Sequence, residues 1–218
     1  MSGIRDEAPL GGVLMGGRSR RFGSDKAAAP LGGRTMAEWA IRSARAACGE
    51  PVVLLGGSET TASHLGQPWR PDARADAGPL AGVVVGLEWS EELDRDGLLV
   101  LACDLPLVSP ALLDAILAAR GSGVDAVVPK QRAAPGLQPL CAWYAATALP
   151  HARACLQTGE RSMLELIARM EVQHVEVERA CDDSEVQLLN VNTSEQLALA
   201  ERLLADRYGG HSMKQASR

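Results

Sequence analysis

Six apolar runs of strand length, Leu10 to Met15, Pro51 to Leu55, Leu98 to Ala102, Asp125 to Pro129, Pro139 to Tyr144 and Val172 to Val177, alternate with segments of helical periodicity. This alternation constrains the fold more than any other feature of the chain, because a parallel sheet must have both faces covered by helices. It predicts an α/β protein with three layers: a doubly wound, mostly parallel sheet of five or more strands with helices on both sides. Local signals place several helices. Thr35 and Glu38 make a capping box ahead of Met36, Trp39, Ala40, Ala44 and Ala47 on one face. Ser109 followed by Pro110 opens a helix to about Arg120, and Gly78-Pro79 breaks the chain before a helix from about Leu80. Thr193 and Gln196 read as a second capping box, opening a last helix through Leu199, Leu203 and Arg207. The residues after it, 209–218 in particular, read as a disordered tail on a domain spanning 1–218.

Composition excludes several classes of function. A formal charge of -5 and a pI near 5.4 argue against a general nucleic-acid binder, which needs clustered Lys and Arg. No signal-peptide pattern opens the chain, and no run of roughly 18 apolar residues occurs, so a cytoplasmic protein that does not enter the membrane is expected. Cys48, Cys103, Cys141, Cys155 and Cys181 are odd in number, scattered and never in C-x-x-C spacing, which reads as buried free thiols. The four histidines form no metal-ligand spacing.

Chemistry concentrates where the first strand ends. The segment Leu14-Met15-Gly16-Gly17-Arg18-Ser19-Arg20-Arg21-Phe22-Gly23-Ser24-Asp25-Lys26 combines small residues with three arginines and a lysine. Glycines let backbone N–H groups approach phosphate oxygens, and the cations neutralise them, so an anionic ligand such as a triphosphate suits this loop. The spacing fits neither G-x-G-x-x-G nor G-x-x-x-x-G-K-[ST]. A structural glycine turn with a solvated basic face is the competing reading. Asp104, in Cys103-Asp104-Leu105-Pro106, directly follows a strand and would project at the carboxyl edge of the sheet, where open α/β sheets bind ligands. Magnesium takes one or two carboxylates together with substrate phosphates, which gives Asp104 a metal role; a turn or helix cap is the alternative. The loop Asp72-Ala-Arg-Ala-Asp76-Ala-Gly78-Pro-Leu carries two further carboxylates.

Taken together, L-x-G-G-x-S-x-R-x-G-x-D-K from Leu14 to Lys26 and C-D-x-P at Asp104 resemble the signatures of the nucleotidyltransferase superfamily that includes the molybdenum cofactor guanylyltransferases. The resemblance runs from Gly12 to Leu204 and implies a Rossmann-like nucleotide-diphospho-sugar transferase fold. Asp72 to Gly82 resembles D-x-x-x-D-x-G-P-L-A-G, whose first aspartate, here Asp72, contacts the nucleotide, with Asp76 the weaker candidate. Leu189 to Leu197 resembles an N-x-N-T-P-E-[DE]-L ending, which puts Asn190 or Asn192 near the metal. The implied reaction transfers GMP from GTP to the terminal phosphate of molybdenum-molybdopterin and releases pyrophosphate. The implied site has Leu14, Met15, Gly16, Gly17, Ser19, Gly23 and Asp25 around the triphosphate, Arg21 and Lys26 neutralising it, Gly78 beside the nucleotide and Mg2+ on Asp104. GTP and the molybdopterin cofactor are the substrates, with transient contact to a molybdenum-insertion protein or a molybdoenzyme as a further partner.

The chain departs from the family pattern at four places. Met15 replaces the usual alanine, Gln138 stands where a histidine is common, Leu55-Gly56-Gly57 lacks an asparagine expected near the base, and Arg21-Phe22-Gly23 resembles a cytidylyl variant. Three alternatives therefore stay open: a cytidylyltransferase on the same pterin, a nucleotidyltransferase on another phosphorylated acceptor, and a non-catalytic protein that binds and delivers nucleotide or cofactor. Retention of Asp25, Lys26 and Asp104 together favours an enzyme.

Overall fold

A computed structural model describes residues 8–16, 26–72, 74, 77–132 and 136–215, with side chains to 207. The strands are β1 (Leu10–Leu14), β2 (Pro30–Leu31), β3 (Arg34–Thr35), β4 (Val52–Leu55), β5 (Trp69–Arg70), β6 (Gly97–Ala102), β7 (Ala126–Lys130), β8 (Cys141–Ala145) and β9 (Val172–Glu176). The helices are α1 (Met36–Cys48), α2 (Glu59–Leu65), α3 (Pro79–Glu92), α4 (Pro110–Ala118), α5 (Ala148–Thr158), α6 (Met163–Ile167), α7 (Val177–Ala180), α8 (Ser184–Gln187) and α9 (Ser194–Gln215).

Seven strands form one sheet in the order β5-β4-β1-β6-β8-β7-β9, and β2 pairs with β3 in a small hairpin. Only β8 runs against its neighbours β6 and β7, so the sheet is mostly parallel. Each of the six expected strands is present within two residues of its anticipated ends. Alternation along β1 explains the layering: Val13 faces a core shared with α1 and α4, while Leu10 and Leu14 face a second core with α3 and α5. The second layer is very tight, since a Cβ on Gly82 of α3 would lie 2.4 Å from Leu14 Cδ2 and would displace the end of that buried leucine. A third cluster, with Leu31, Met36, Leu107, Val191 and Leu204, docks α9 against the start of α1 and the segment after β6.

The capping signals resolve in detail. Thr35 Oγ1 accepts from Glu38 N while Glu38 returns to Thr35 N, completing the box, and Ser109 Oγ accepts from Leu112 N at the start of α4. At α9 the expectation needs correcting. Thr193 Oγ1 accepts from Gln196 N at 3.2 Å, but the Gln196 carboxamide reaches the backbone of Asn192 rather than that of Thr193. α9 runs to Gln215, and residues 216–218 of the segment read as a tail lie outside the described residues. Gly209 and Gly210 weaken a helix by about 1 kcal/mol each without removing its N–H donors, so propagation from a capped start proceeds through them. No helix among the described residues is long and apolar enough to cross a membrane.

Candidate active site

The carboxyl ends of β4, β1 and β6 converge, and the ladder of hydrogen bonds continues past the strands into the loops. Met15 N donates to Leu55 O, and Cys103 N donates to Leu14 O, each at 3.0 Å. Gly16 follows with φ 82° and lies beside Cys103. Asp104 sits in the tight turn after β6, as its sequence position predicts.

At that turn three sequence-predicted residues meet. Lys26, at the start of a short 3-10 turn (Lys26–Ala28), is 8% exposed. Its Nζ donates to Asp104 Oδ2 at 2.9 Å and to Asn192 Oδ1 at 2.5 Å. A buried ammonium needs such partners, because desolvation disfavours an unpaired charge. Val191, fully buried, closes the arrangement by donating its N–H to the Asp104 carbonyl at 2.9 Å. The main chain of Asp104 therefore holds the Asn192 segment while its side chain holds Lys26.

The second carboxylate oxygen of Asp104 is different. Oδ1 is buried and has no hydrogen-bond partner among the described residues. An acceptor left in this state is unfavourable by about 1 to 3 kcal/mol, more when charged, and a hard cation that combines one carboxylate with phosphates and waters would satisfy it. The described residues contain no cluster of three or more His, Cys, Asp or Glu able to hold a metal by themselves, so a cation here would depend on its substrate for further ligands.

A second group of predicted residues lies across β1. Asp72 follows β5, and its carboxylate rests over Gly56, where a Cβ would lie 2.5 Å from Oδ1. Partial desolvation raises the Asp72 carboxyl above its ordinary value. Met15 packs into the core at 2% exposure, and a Cβ on Gly57, at φ 70°, would lie 2.6 Å from Met15 Cβ. Met15 and Gly56-Gly57 thus fit one another, and the methionine side chain occupies the interior. Gly78, φ 72°, caps α3 with Pro79 following, and the Arg161 carbonyl lies against it. The N-termini of α3 and α4 lie at this same edge of the sheet, where helix ends favour anions.

Gly17, Ser19, Arg21, Gly23, Asp25 and Asp76 lie outside the described residues. Asn190, half-buried, flanks the centre, but Asn192 is the one bonded to Lys26. Gln138 belongs to the turn before β8, its carbonyl accepting from Cys141 N. Sequence reasoning did not single out Val191, whose contribution is a backbone N–H. Nor did it foresee that Gln196 would hold the Asn192 backbone; the N-cap spacing was the available signal. The cysteines remain free, four buried and Cys181 half-buried. Burial pushes the Cys48 thiol up to about 12 and raises Cys141, Cys155 and Cys181 as well, which disfavours thiolate chemistry.

An open, doubly wound sheet whose carboxyl edge carries Gly16 and Gly56-Gly57 in left-handed conformations, a buried Lys–Asp pair and an unsatisfied carboxylate oxygen fits a nucleotide-handling α/β protein of the phosphoryl-transfer type. Residues 11–177 match the MobA-like NTP transferase domain, and the chain belongs to that family of nucleotidyltransferases. It is 39% identical over 163 residues to a probable molybdenum cofactor guanylyltransferase of Opitutus terrae, covering 75% of this chain and 79% of the relative. It is 32% identical over 196 residues to the molybdenum cofactor guanylyltransferase of Cereibacter sphaeroides, covering 89% and 96% respectively. Among solved structures, molybdopterin-guanine dinucleotide biosynthesis protein A from Archaeoglobus fulgidus aligns with a TM-score of 0.73 at 26% identity, over 90% of this chain and 99% of that one.

Proposed function

We propose that this chain is a cytoplasmic, magnesium-dependent molybdenum cofactor guanylyltransferase. The observation that carries the proposal is the joining of Lys26, Asp104 and Asn192 at the edge of the sheet, with Asp104 Oδ1 left for a cation. The names of the relatives supply the substrate class. In the reaction, an oxygen of the terminal phosphate of molybdenum-molybdopterin attacks the α-phosphorus of GTP. The bond from that phosphorus to the bridging oxygen breaks, its electron pair leaves with pyrophosphate, and the guanine dinucleotide cofactor forms.

The chain contributes position and charge, since no protein nucleophile is needed for such a displacement. Asp104 would hold Mg2+ through Oδ1, and the ion when bound would neutralise the phosphate oxygens. Lys26 supplies the fixed positive charge beside that carboxylate, and Asn192 keeps its amine aimed there. The loop from Leu14, with Arg21, would cradle the triphosphate, and Asp72, across β1 from Asp104, would contact the nucleotide. A molybdenum-insertion protein or a molybdoenzyme is the proposed transient partner for the exchange of cofactor.

The test is pyrophosphate release from molybdenum-loaded molybdopterin with GTP, CTP, ATP or UTP in separate reactions, each with Mg2+ and with chelator. Release with GTP and Mg2+ alone is expected. Release with CTP would move the chain to the cytidylyl branch, and release that persists in chelator would remove the metal from the account.

A further inference from the structure

Helix α9 grips the Lys26–Asp104–Asn192 centre at two points. In its first turn, Gln196 Oε1 accepts from Asn192 N at 2.7 Å, fixing the residue whose side chain receives the Lys26 amine. Farther along, Arg207 Nη1 donates to Leu107 O at 3.0 Å, in the segment leading from Asp104 to α4, while Nη2 pairs with Asp183 at 3.3 Å. Leu107, Val191, Ala200 and Leu204 are all buried between these points. One rigid helix therefore spans the two chain segments whose separation decides whether Lys26 can reach Asp104 and Asn192 together.

We propose that α9 is a strut for this centre and that Arg207 and Gln196 are its positioning residues. The inference rests on the nucleotidyltransferase reading given above. Neither residue touches the Lys26 amine or the Asp104 carboxylate. Arg207 holds the backbone after Asp104, Gln196 holds the backbone of Asn192, and α9 thereby braces from outside the spacing that the Val191 N–H to Asp104 carbonyl bond makes directly. Arg207 can donate to a carbonyl and pair with a carboxylate at once through its planar fork, which a lysine cannot reproduce in full. Arg207 also lines a groove of about 540 Å³ between α1, the start of α4, the α7–α8 segment and α9. Its truncation enlarges an existing groove and leaves the core packed.

Two readouts in full-length Arg207→Met, Arg207→Lys and Gln196→Leu test the strut. The first is the rate at which acetic anhydride acetylates Lys26 without nucleotide or metal, followed by peptide mass spectrometry. The second is kcat and KM for GTP-dependent pyrophosphate release, with urea midpoints confirming that each variant is folded. Arg207→Met and Gln196→Leu are expected to speed Lys26 acetylation several-fold and to lower kcat about tenfold, the size expected for outer-shell partners, with KM for GTP held. Arg207→Lys is expected to recover part of both. Wild-type acetylation rates in both Arg207→Met and Gln196→Leu overturn the strut, and faster acetylation with unchanged kcat overturns its part in turnover. If the wild-type protein itself releases no pyrophosphate with any nucleotide, the functional reading fails, and the acetylation rates still decide the strut.

Discussion

Strand β6 is bracketed by two aspartates that look alike and do different work. Asp96 precedes the strand and pairs with Arg120 Nη1 at 2.5 Å; Asp104 follows it and pairs with Lys26 at 2.9 Å. Each leaves its Oδ1 buried without a partner among the described residues. At the Asp96 end, the cation comes from just beyond α4, is bonded to Leu117 O and lies over the Trp143 ring, so the pair ties the close of a helix to the start of a strand. At the Asp104 end, the cation has a second partner in Asn192, and the ends of β1, β4 and β6 are tied together at the same edge by Met15 N donating to Leu55 O and Cys103 N donating to Leu14 O. A half-satisfied acid–base pair is therefore not a functional signal by itself. Its place on the carboxyl edge, near Gly16 and helix N-termini, gives it chemistry.

The largest expected effect breaks this comparison directly. Asp104→Asn should lower GTP-dependent pyrophosphate release roughly a thousandfold with the fold intact, whereas Asp96→Asn should leave turnover near wild type. Equal losses in steady-state kinetics would erase the distinction between the two ends. Lys26→Ala should reduce turnover roughly a hundredfold and also lower the urea midpoint, because the Asp104 carboxylate is left unpaired. Arg120→Ala, its counterpart, should lower the midpoint while turnover holds.

Smaller effects sharpen the other side of β1. Met15→Ala opens a void in the core and should destabilise the protein by about 2 to 4 kcal/mol in urea denaturation. It should not alter the choice among nucleotides, because the side chain faces inward. Gly57→Ala should not be rescued by Met15→Ala, since the Cβ of residue 15, 2.6 Å from the added methyl, remains in alanine. The smallest effect concerns Asp72, whose carboxyl is raised by partial desolvation. A raised carboxyl stabilises the fold while protonated, and that contribution is lost as pH rises through the raised value. Asp72→Asn should therefore raise Tm at neutral pH, weaken GTP binding, and converge on wild-type Tm as pH falls below about 4, the ordinary carboxylate value. A Tm difference independent of pH would contradict this assignment.

Much of the scaffold was legible in the sequence because its signals are local. The runs that became β1, β4, β6, β7, β8 and β9 are long enough to show themselves, and the Thr35, Ser109 and Gly78-Pro79 signals each mark a helix start. The two-residue strands β2, β3 and β5 have no periodicity to read. The insertion of β8 antiparallel between β6 and β7 is a matter of tertiary pairing that no local pattern encodes. Asp104 was legible from its place after an apolar run. The bond from Lys26 to Asn192 joins residues 166 positions apart, and only the fold brings them together. The extension of α9 through Gly209 and Gly210 was obscured because glycine is both a common helix stop and a tolerated, if weak, helix residue.

The most direct test of the central claim is a crystal structure of the protein with Mg2+ and a non-hydrolysable GTP analogue. The account predicts that the ion would be held by Asp104 Oδ1, with the nucleotide's phosphates and the Lys26 amine beside it. A nucleotide bound elsewhere, for example in the groove between α1 and α9, or an ion that does not touch Asp104, would contradict it.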